Sequence, residues 1–424
     1  MKKLVLSTLI ASSLVFTSCF KDDDTPIIIE EVTIINNGNG NGNGEECPII
    51  TVTGAITENT TWTNDNIYQL NQKVVVNNGA TLTIEPGTII KGTPGTGSLA
   101  SALIIARDSK INAVGTATQP IIFTSTSDNI SCGENAGTNL DENDRGLWGG
   151  LIILGNAPCS FSGNIIEAQI EGIPADDTFG LYGGSDATDN SGVIQYLSIR
   201  HGGALIGEGN EINGLTLGGV GNGTVINNIE VVANVDDGIE FFGGTVNASN
   251  LLVWAQGDDA LDIDQAYSGT INNAVVVLGD FSDHAFEIDG PEGSATGSFT
   301  IQNVTILGNT VTENGEYADY RSGATGTTNN IYAFGFKASS DVELDNDGVA
   351  ANYNNGDLVF GTWEIVLPSG VTDATSVFVN KAETAMVTGF GSTASAVTEG
   401  ANTVGATTSE LAWTYSNTAG GLGF

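Results

Sequence analysis

Short hydrophobic runs alternate with Gly, Asn, Asp and Thr along most of the chain, and no window shows a long helical period. The clearest early example is KVVVNNGATLTIEPGTIIKG, residues 73–92, in which Asn-Asn-Gly and Glu-Pro-Gly turns separate three runs. ALIIARDSKINAVG, PIIFTSTS and GLWGGLIILGNAP continue this pattern as far as residue 158. The pattern predicts an all-β protein built from short strands.

Between residues 190 and 335 the hydrophobic runs repeat one another. YLSIRHGG, NIEVVAN, NLLVWAQ, NAVVVLG, NVTILGN and NIYAFGF begin at Tyr196, Asn228, Asn250, Asn273, Asn303 and Asn330. A second series, DDGIEFFGG, DDALDIDQA and DHAFEIDGP, begins at Asp236, Asp258 and Asp283. Two strand series that recur roughly every twenty to thirty residues predict a solenoid of strand-turn-strand coils. The leading Asn suits a turn with left-handed backbone and could stack as a side-chain ladder.

The repeat length and composition narrow the choice of solenoid. The L-x-x-L-x-L pattern of leucine-rich repeats is absent, and propeller blades would need about forty residues each. GATLTIEPGTIIKG, WGGLIILGNAP and the Asn-led coils resemble the right-handed parallel β-helix, pectin-lyase-like lipoproteins of Bacteroidota-type bacteria. The resemblance covers roughly residues 50–345 and implies a single-stranded right-handed parallel β-helix solenoid, with loop insertions at residues 128–145 and 308–320. Residues from about 346 to 424 are expected to form a capping segment, with LAWTYSNTAGGLGF covering the open end.

The first residues predict export and lipidation. Lys2 and Lys3 precede an apolar run, residues 4–16, that is too short to span a bilayer but suits a signal peptide. FTSC, which ends at Cys19, resembles a bacterial lipobox, so residues 1–18 are expected to be a lipoprotein signal peptide and Cys19 to be acylated. The alternative is an ordinary signal peptide that contains a cysteine.

The residues after Cys19 predict a tether. KDDD resembles the surface-export signal of Bacteroidota-type lipoproteins, although a solvated acidic spacer facing the periplasm is the alternative. With NNGNGNGNG, residues 19–47 are expected to be flexible, and residues 48–424 to be the β-helix domain. The domain would be lipid-anchored to the outer membrane and exposed at the cell surface.

The charge and the cysteines limit the partners. Fifty acidic and twelve basic residues give a formal net charge of -38, which repels nucleic acid and anionic lipid. A monomer is expected.

Disulfides persist in an export compartment, and Cys132 with Cys159 is the natural pair, whereas Cys47 has no obvious partner. C-x-x-C spacing is absent, which argues against zinc.

Acidic residues concentrate in NVDDGIEF, GDDALDID and SDHAFEID, where they should stack along one edge of the solenoid. Their order and intervals are similar to the N-x-D, G-D-D and His of polygalacturonase-type glycoside hydrolases, which share this fold class. The resemblance implies inverting hydrolysis, with carboxyl groups about 6.5–9.5 Å apart, by Asp236, Asp258, Asp259 and His284. That family's G-H-G and R-x-K are absent, and Asp before a strand is also an ordinary turn signal, so turn decoration is favoured over catalysis.

Two further kinds of site are compatible with the same region. Oxygen ligands for calcium would come from Asp258, Asp262, Asp264, Glu287 and Asp289. A calcium-dependent lyase would also need a base, for which Arg200 beside His201 is the candidate, although a surface pair is favoured. An aromatic platform for a sugar ring could instead be formed by Trp254 with Tyr196, Tyr267 and Phe241 or Phe242.

These patterns favour a non-catalytic surface lipoprotein whose β-helix binds glycan or mediates adhesion, with calcium as the candidate cofactor. The alternative is a polysaccharide-degrading glycoside hydrolase or lyase of the same fold. A third interpretation is an accessory of an outer-membrane uptake system. The incomplete catalytic pattern and the shortage of bases favour the first, because an anionic polyuronide would be held poorly.

Overall fold

The computed structural model describes residues 47–173, 177–205, 211–312 and 314–423, so the predicted signal peptide, Cys19 and nearly all of the tether lie outside the described residues. The strands are β1 (Ile49–Ile56), β2 (Thr60–Trp62), β3 (Ile67–Val76), β4 (Thr81–Ile84), β5 (Ile89–Gly92), β6 (Ala102–Ile105), β7 (Lys110–Val114), β8 (Ile121–Ser125), β9 (Leu151–Leu154), β10 (Ala168–Gln169), β11 (Leu181–Tyr182), β12 (Gly192–Arg200), β13 (Leu215–Gly218), β14 (Val225–Val232), β15 (Ile239–Phe242), β16 (Asn247–Trp254), β17 (Leu261–Asp264), β18 (Thr270–Val277), β19 (Phe286–Ile288), β20 (Phe299–Leu307), β21 (Ala318–Tyr320), β22 (Gly326–Phe334), β23 (Val342–Leu344), β24 (Leu358–Phe360), β25 (Trp363–Ile365), β26 (Phe378–Asn380) and β27 (Ala394–Ala396). The helices are α1 (Asp347–Asn355) and α2 (Tyr415–Thr418), with short 3-10 turns at Gly97–Leu99, Ser162–Asn164, Thr178–Gly180, Ala374–Val377 and Thr408–Leu411. Within these ranges, no helix has the length and apolar character needed to cross a membrane.

The strands wind into a parallel β-helix with three sheet faces, which we name A, B and C. Face A contains β6, β9, β13, β15, β17, β19, β21, β23 and β26, each paired in parallel with the next. The long strands β12, β14, β16, β18, β20 and β22 bend once, so their first halves form face B and their second halves form face C. The predicted parallel β-helix is confirmed.

The residue at each bend has left-handed backbone. The φ angle is 53° at Tyr196 and lies between 55° and 62° at the predicted positions Asn228, Asn250, Asn273, Asn303 and Asn330. Asn tolerates this region because its short side chain can hydrogen-bond locally. The Asn273 amide donates to Asn250 at 2.7 Å, and the Asn330 amide to Asn303 at 2.9 Å. The predicted asparagine ladder is therefore confirmed at two steps, whereas Asn250 and Asn303 donate to Asn227 and Asn272 of the preceding coil.

Replacing Asn330 separates the two contributions of this turn. Asn330→Ala is expected to lower the free energy of unfolding by about 1–3 kcal/mol, because it loses a hydrogen bond and holds Ala in the left-handed region. Asn330→Gly loses the same hydrogen bond without that steric cost, so a smaller loss is expected. Urea unfolding of both variants measures the difference; equal losses would show that the backbone conformation contributes nothing.

Inward-facing residues form continuous hydrophobic columns along the axis. On face A, one buried column consists of Leu217, Phe241, Ile263, Ile288, Tyr320 and Leu344 on successive coils. Each large side chain removed from water contributes about 1.5–3 kcal/mol. Because every coil completes the core of its neighbours, stability accumulates along the solenoid.

Long loops leave the coils where the sequence predicts two of them and at one further place. The chain between β8 and β9, which includes the predicted insertion 128–145, and the chain between β20 and β21 connect face C to face A. The predicted insertion 308–320 is too long, because residues 318–320 form β21. The described part of residues 155–191, between β9 and β12, forms an additional insertion that contains the antiparallel pair β10 and β11. Its Phe161, Ile170 and Tyr182 pack on the outward-facing Ile104 and Ile152 of face A.

The disulfide differs from the expected one. Cys132 pairs with Cys47, whose Cα lies 5.8 Å away, and Cys159 is a half-buried free thiol. The expected Cys132–Cys159 pair is therefore wrong. Cys47 and Cys132 both pack against the outside of face C beside Ile67, whereas Cys159 belongs to the insertion on face A. The disulfide thus joins the start of the domain to the insertion after β8.

The C-terminal residues form both a cap and a strap. Between β26 and β27 the chain crosses the last coil, and Phe390 packs on Phe360 and Phe378. Residues 397–422, which we call the C-terminal strap, run back along the outside of face C, where Ser416 binds Glu230. The expectation that LAWTYSNTAGGLGF covers the open end is therefore wrong, because the outer surface of face C supplies buried partners for it.

Candidate functional site

The turns that lead from face C into face A bring the predicted catalytic residues onto neighbouring coils. The backbone amide of Asp259 donates to Asp237 at 3.0 Å, and the backbone amide of His284 donates to Asp259 at 2.7 Å. His284 in turn bridges to Glu316 of the next coil. We call Asp237, Asp259, His284 and Glu316 the turn ladder. Parallel stacking of the coils therefore assembles residues that are far apart in the sequence.

His284 is held in an ion pair. Its Nδ1 lies 2.8 Å from Asp259, with Asp283 and Glu287 at 3.7 and 3.8 Å, and its side chain is 14% exposed. Burial by itself lowers the pKa of His284, but the hydrogen bond and charge of Asp259, with the charge of Asp283, raise it to about 9. The imidazole is therefore protonated at neutral pH and cannot accept a proton there.

Asp236 and Asp258 lie beside the turn ladder, close to each other. Ligand oxygens of Asp236, Asp237 and Asp258 all lie within 4.8 Å of one another. Burial and the charges of nearby carboxylates raise the pKa of Asp236 to about 7, and that of Asp258 to about 6. The nearest oxygens are closer than the about 6.5–9.5 Å separation used for inverting hydrolysis.

Face A carries a second row of acids, which we call the acidic column. In register on successive coils, its members are Glu240, Asp262, Glu287, Asp319 and Glu343. The same outward column is apolar on the earlier coils, at Val75, Ile104 and Ile152, where the insertion of residues 155–191 covers it. The acids therefore begin close to where this hydrophobic cover ends.

Basic side chains neutralise the later part of the acidic column. Arg321 binds Glu287 and, at 2.6 Å, Asp289. Lys381 binds Glu343. Together with His284, which lies 3.8 Å from Glu287, these are the ion pairs of the acidic column among the described residues, and all of them lie on the coils from β19 onward.

The five expected calcium ligands do not form one site. Glu287 and Asp289 bind Arg321, whereas Asp258 groups with Asp236. Asp262 groups with Asp237 and Glu240 on the neighbouring coil. The physical reason is that the backbone from Asp258 to Asp264 passes through the extended strand β17, which separates its ends.

Arg200 and His201 are buried rather than exposed. The Arg200 guanidinium lies 4.3 Å from the Tyr415 ring and donates to the Asn135 carbonyl oxygen at 3.0 Å. His201 Nδ1 lies 2.7 Å from the Asp144 carbonyl oxygen, and burial lowers its pKa. The favoured reading of a surface pair is wrong, and the strap and the insertion after β8 separate both residues from solvent.

The predicted aromatic platform is covered as well. Trp254 faces away from the core but packs on Tyr415, and Tyr196 packs on Trp413. Tyr267 and Phe241 lie in the core, and Phe242 packs against the insertion of residues 155–191. These rings therefore do not assemble into one platform: Tyr196 is half-buried and lines a separate cavity with Trp413 and Glu410, and Trp254 is half-buried beside Tyr415.

The exposed aromatic ring of this region is Phe281, which sequence analysis did not single out. Its side chain is 64% exposed, and the Arg145 guanidinium lies 4.7 Å from the ring centroid. Phe281 occupies the turn that also contains Asp283, whose backbone amide donates to the Asp258 carbonyl oxygen at 2.9 Å. A large apolar residue inside GDFSDH, where turns usually carry polar residues, was the signal that could have identified it.

Comparisons with known proteins agree with the architecture. No curated protein and no solved structure matches the chain significantly. A family profile described as "Pectate-lyase like beta helix domain" matches residues 54–418, which include every face of the solenoid and most of the strap. The chain therefore belongs to the family of pectate-lyase-like β-helix domains.

Proposed function

We propose that this protein is a non-catalytic surface lipoprotein whose β-helix binds a neutral glycan, or attaches to a surface that displays one. The observation that carries the proposal is the exposed Phe281 ring beside acidic turns at the edge between faces C and A. We call Phe281, Arg145, Asp258 and Asp283 the edge site.

The chemistry of the edge site suits an uncharged sugar. An exposed aromatic ring can stack on the C–H face of a sugar, and carboxylates accept hydrogen bonds from hydroxyl groups. Asp258 is exposed, and its carbonyl oxygen accepts from the backbone amide of Asp283 in the turn that carries this ring. A polyuronide would be repelled, since the chain carries a formal net charge of -38.

Three observations favour binding over catalysis. His284 is protonated and paired with Asp259, so it is a poor general base. Oxygens of Asp236 and Asp258 approach within 4.8 Å, which does not match the carboxyl separation of the inverting mechanism that the polygalacturonase resemblance implies and is nearer to the about 5–5.5 Å of retaining enzymes. Arg200, the candidate base for a lyase, is buried under Tyr415.

The proposal includes an N-terminal anchor. Acylation of Cys19 would attach the chain to the outer membrane, and KDDD would direct it to the cell surface. The Asn/Gly-rich tether would hold the β-helix away from the lipid. Metabolic labelling with an alkyne fatty acid tests this anchor, and Cys19→Ser is expected to abolish the label.

Glycan binding is tested by affinity electrophoresis in gels that contain xylan, galactomannan, mixed-linkage β-glucan, polygalacturonate or alginate. We expect retardation by at least one neutral polysaccharide and none by the two polyuronides. Phe281→Ala should weaken binding about tenfold, because one stacking contact contributes about 1.4 kcal/mol.

Val311→Ala is the matched control, because Val311 is 70% exposed on the turn of the following coil. It should leave the retardation unchanged. Binding that survives Phe281→Ala, or that prefers the polyuronides, would contradict the edge site.

A glycoside hydrolase is the second candidate, because the pKa values of Asp236 and Asp258 are raised toward those of a general acid. Release of reducing sugar from the same polysaccharides would establish it. That activity should then be lost in Asp236→Asn and in Asp259→Asn. Binding without release in the wild-type protein supports the first proposal.

A further inference from the structure

Three buried carboxylates meet at the start of the acidic column. Asp237, Glu240 and Asp262 have ligand oxygens within 4.8 Å of one another. Their residues are only 6%, 6% and 9% exposed, respectively. Asp237 belongs to the turn ladder, and Glu240 and Asp262 are paired in register on adjacent strands. Three carboxyl groups thus share one small space away from solvent.

No basic side chain among the described residues forms an ion pair with this cluster. Arg321 binds Glu287 and Asp289, and Lys381 binds Glu343. His284, which lies on the coil after that of Asp262, pairs with Asp259. Buried charges of one sign are costly without compensation, so three ionised carboxylates in this space require either protons or a bound cation.

Two buried oxygens at the cluster lack a hydrogen-bond partner. One is Asp262 Oδ1, and the other is Asn213 Oδ1. The Asn213 side-chain amide donates to Glu240, which places this residue at the cluster, and Asn213 is 1% exposed. Buried polar atoms are almost always satisfied, so these oxygens indicate a ligand that accepts electron pairs from oxygen.

The local packing encloses the cluster. Phe242, two residues beyond Glu240, packs with Ile212 and with Tyr182 of the insertion of residues 155–191. Burial and mutual repulsion raise the pKa of all three carboxyl groups well above the ordinary range. Uptake of protons or of a metal ion would each relieve this repulsion.

We propose that Asp237, Glu240 and Asp262, with the amide oxygen of Asn213, form a buried structural site for a divalent cation of the calcium type. The donors are all hard oxygens, which suit calcium or magnesium and do not favour zinc or copper. Calcium accepts six to eight oxygens, including bidentate carboxylates, whereas magnesium retains several waters and needs strict octahedral geometry. A closed cluster of three carboxylates therefore favours calcium.

The cation would join separate parts of the chain. Asp237 and Glu240 belong to one coil, Asp262 to the next, and Asn213 to the segment that enters β13. Neutralising three like charges at this junction would stabilise the stacking of β13, β15 and β17. Because the site is enclosed, its role is structural and does not depend on glycan binding at the edge site.

For the test, the full domain is refolded from denaturant in the presence of EGTA. It is then incubated either with or without 1 mM calcium. We expect one calcium per chain by atomic emission after desalting. The melting temperature should rise by roughly 5 °C with calcium, since a ligand that binds only the folded state stabilises it. Magnesium at the same concentration should produce a smaller rise.

Glu240→Gln and Asp262→Asn should each abolish both the bound calcium and its effect on the melting temperature. Without calcium these variants should melt at or above the wild-type temperature, because each removes one repelling charge. If the Glu240 and Asp262 side chains contributed only to packing, both substitutions would instead lower the melting temperature of the calcium-free protein. Asp264→Asn, on the same strand, is the matched control and should keep the calcium response.

Absence of bound calcium and of any shift in the wild-type protein would overturn the proposal. Calcium that remains bound in Asp262→Asn would also overturn it, because the ion would then lie elsewhere. Both measurements are made without a glycan. A negative result would therefore say nothing about glycan binding at the edge site, and a failure of glycan binding would say nothing about the calcium site.

Discussion

Lowering the pH from 9 to 5 is expected to raise the melting temperature of the EGTA-treated protein. His284 accounts for the upper part of this range. Its pKa is about 9 in the folded protein, against about 6.5 for an unperturbed His. Between these values the folded state holds a proton that the unfolded state has lost, so stability falls as the pH rises. The slope reaches about 1.4 kcal/mol per pH unit for one proton.

Carboxyl groups on later coils account for the lower part of the range. Burial and Asp341 raise the pKa of Glu316 to about 7, and burial raises that of Asp319 to about 6. Unfolded Glu and Asp titrate near 4, so between pH 4 and 7 the folded state again binds more protons than the unfolded state. Lowering the pH therefore stabilises the folded state by this route too.

Thermal unfolding followed by circular dichroism at half-unit pH steps measures the effect. His284→Gln should flatten the curve between pH 7 and 9, and Glu316→Gln should reduce its slope between pH 5 and 7, where Asp319, Asp236 and Asp258 also titrate. A melting temperature that is highest near pH 8 in the wild-type protein would contradict both assignments.

Removing the attachment of the C-terminal strap is expected to cost more than any surface change. Glu230 is fully buried and accepts hydrogen bonds from the Ser416 amide at 2.7 Å, the Ser416 hydroxyl at 2.6 Å and the Tyr415 amide at 3.1 Å. Ser198 also donates to it, and Ser198 in turn accepts from Arg200. One carboxylate thus joins the strap to β12 and β14.

Glu230→Ala should lower the free energy of unfolding by about 3–5 kcal/mol, because it leaves several buried donors without an acceptor and removes a negative charge that stabilises the buried Arg200 guanidinium. Glu230→Gln keeps one acceptor oxygen and should cost less. Glu410→Ala, an exposed position on the strap, should change stability by less than about 0.5 kcal/mol.

Urea unfolding gives these values, and limited proteolysis reports on the strap itself. In Glu230→Ala we expect faster cleavage within residues 407–422. Detachment would expose Leu252, Val275 and Val277, which pack against Leu411 of the strap. A Glu230→Ala variant as stable and as protease-resistant as wild type would show that the strap is held by other contacts.

Features that depend on local chemistry could be predicted from the sequence. The position of Asn at the bends depends only on the tolerance of this residue for left-handed backbone. The sequence therefore predicts the bends at Asn250 and Asn330 correctly. Alternating hydrophobic runs and their repeat predicted the parallel coils. Stacking of Asp236, Asp258 and His284 along one edge followed from that repeat, and the structure places them on neighbouring turns.

Features that depend on contacts between distant segments could not be predicted in this way. The Cys47–Cys132 pair spans 85 residues, and the strap meets Glu230 from 186 residues away. The sequence contains no local sign of either contact, because each depends on which outer face a segment covers.

The sequence by itself determined the β-helix, its asparagine turns and the clustering of acids on one edge, because each follows from residue type and spacing along the chain. Only the tertiary structure decided which carboxylates share a space, which bind Arg321 or His284, and which aromatic ring stays exposed. The physical reason is that burial and charge pairing depend on the loops and the strap that cover each face, and their positions are set by packing rather than by the repeat.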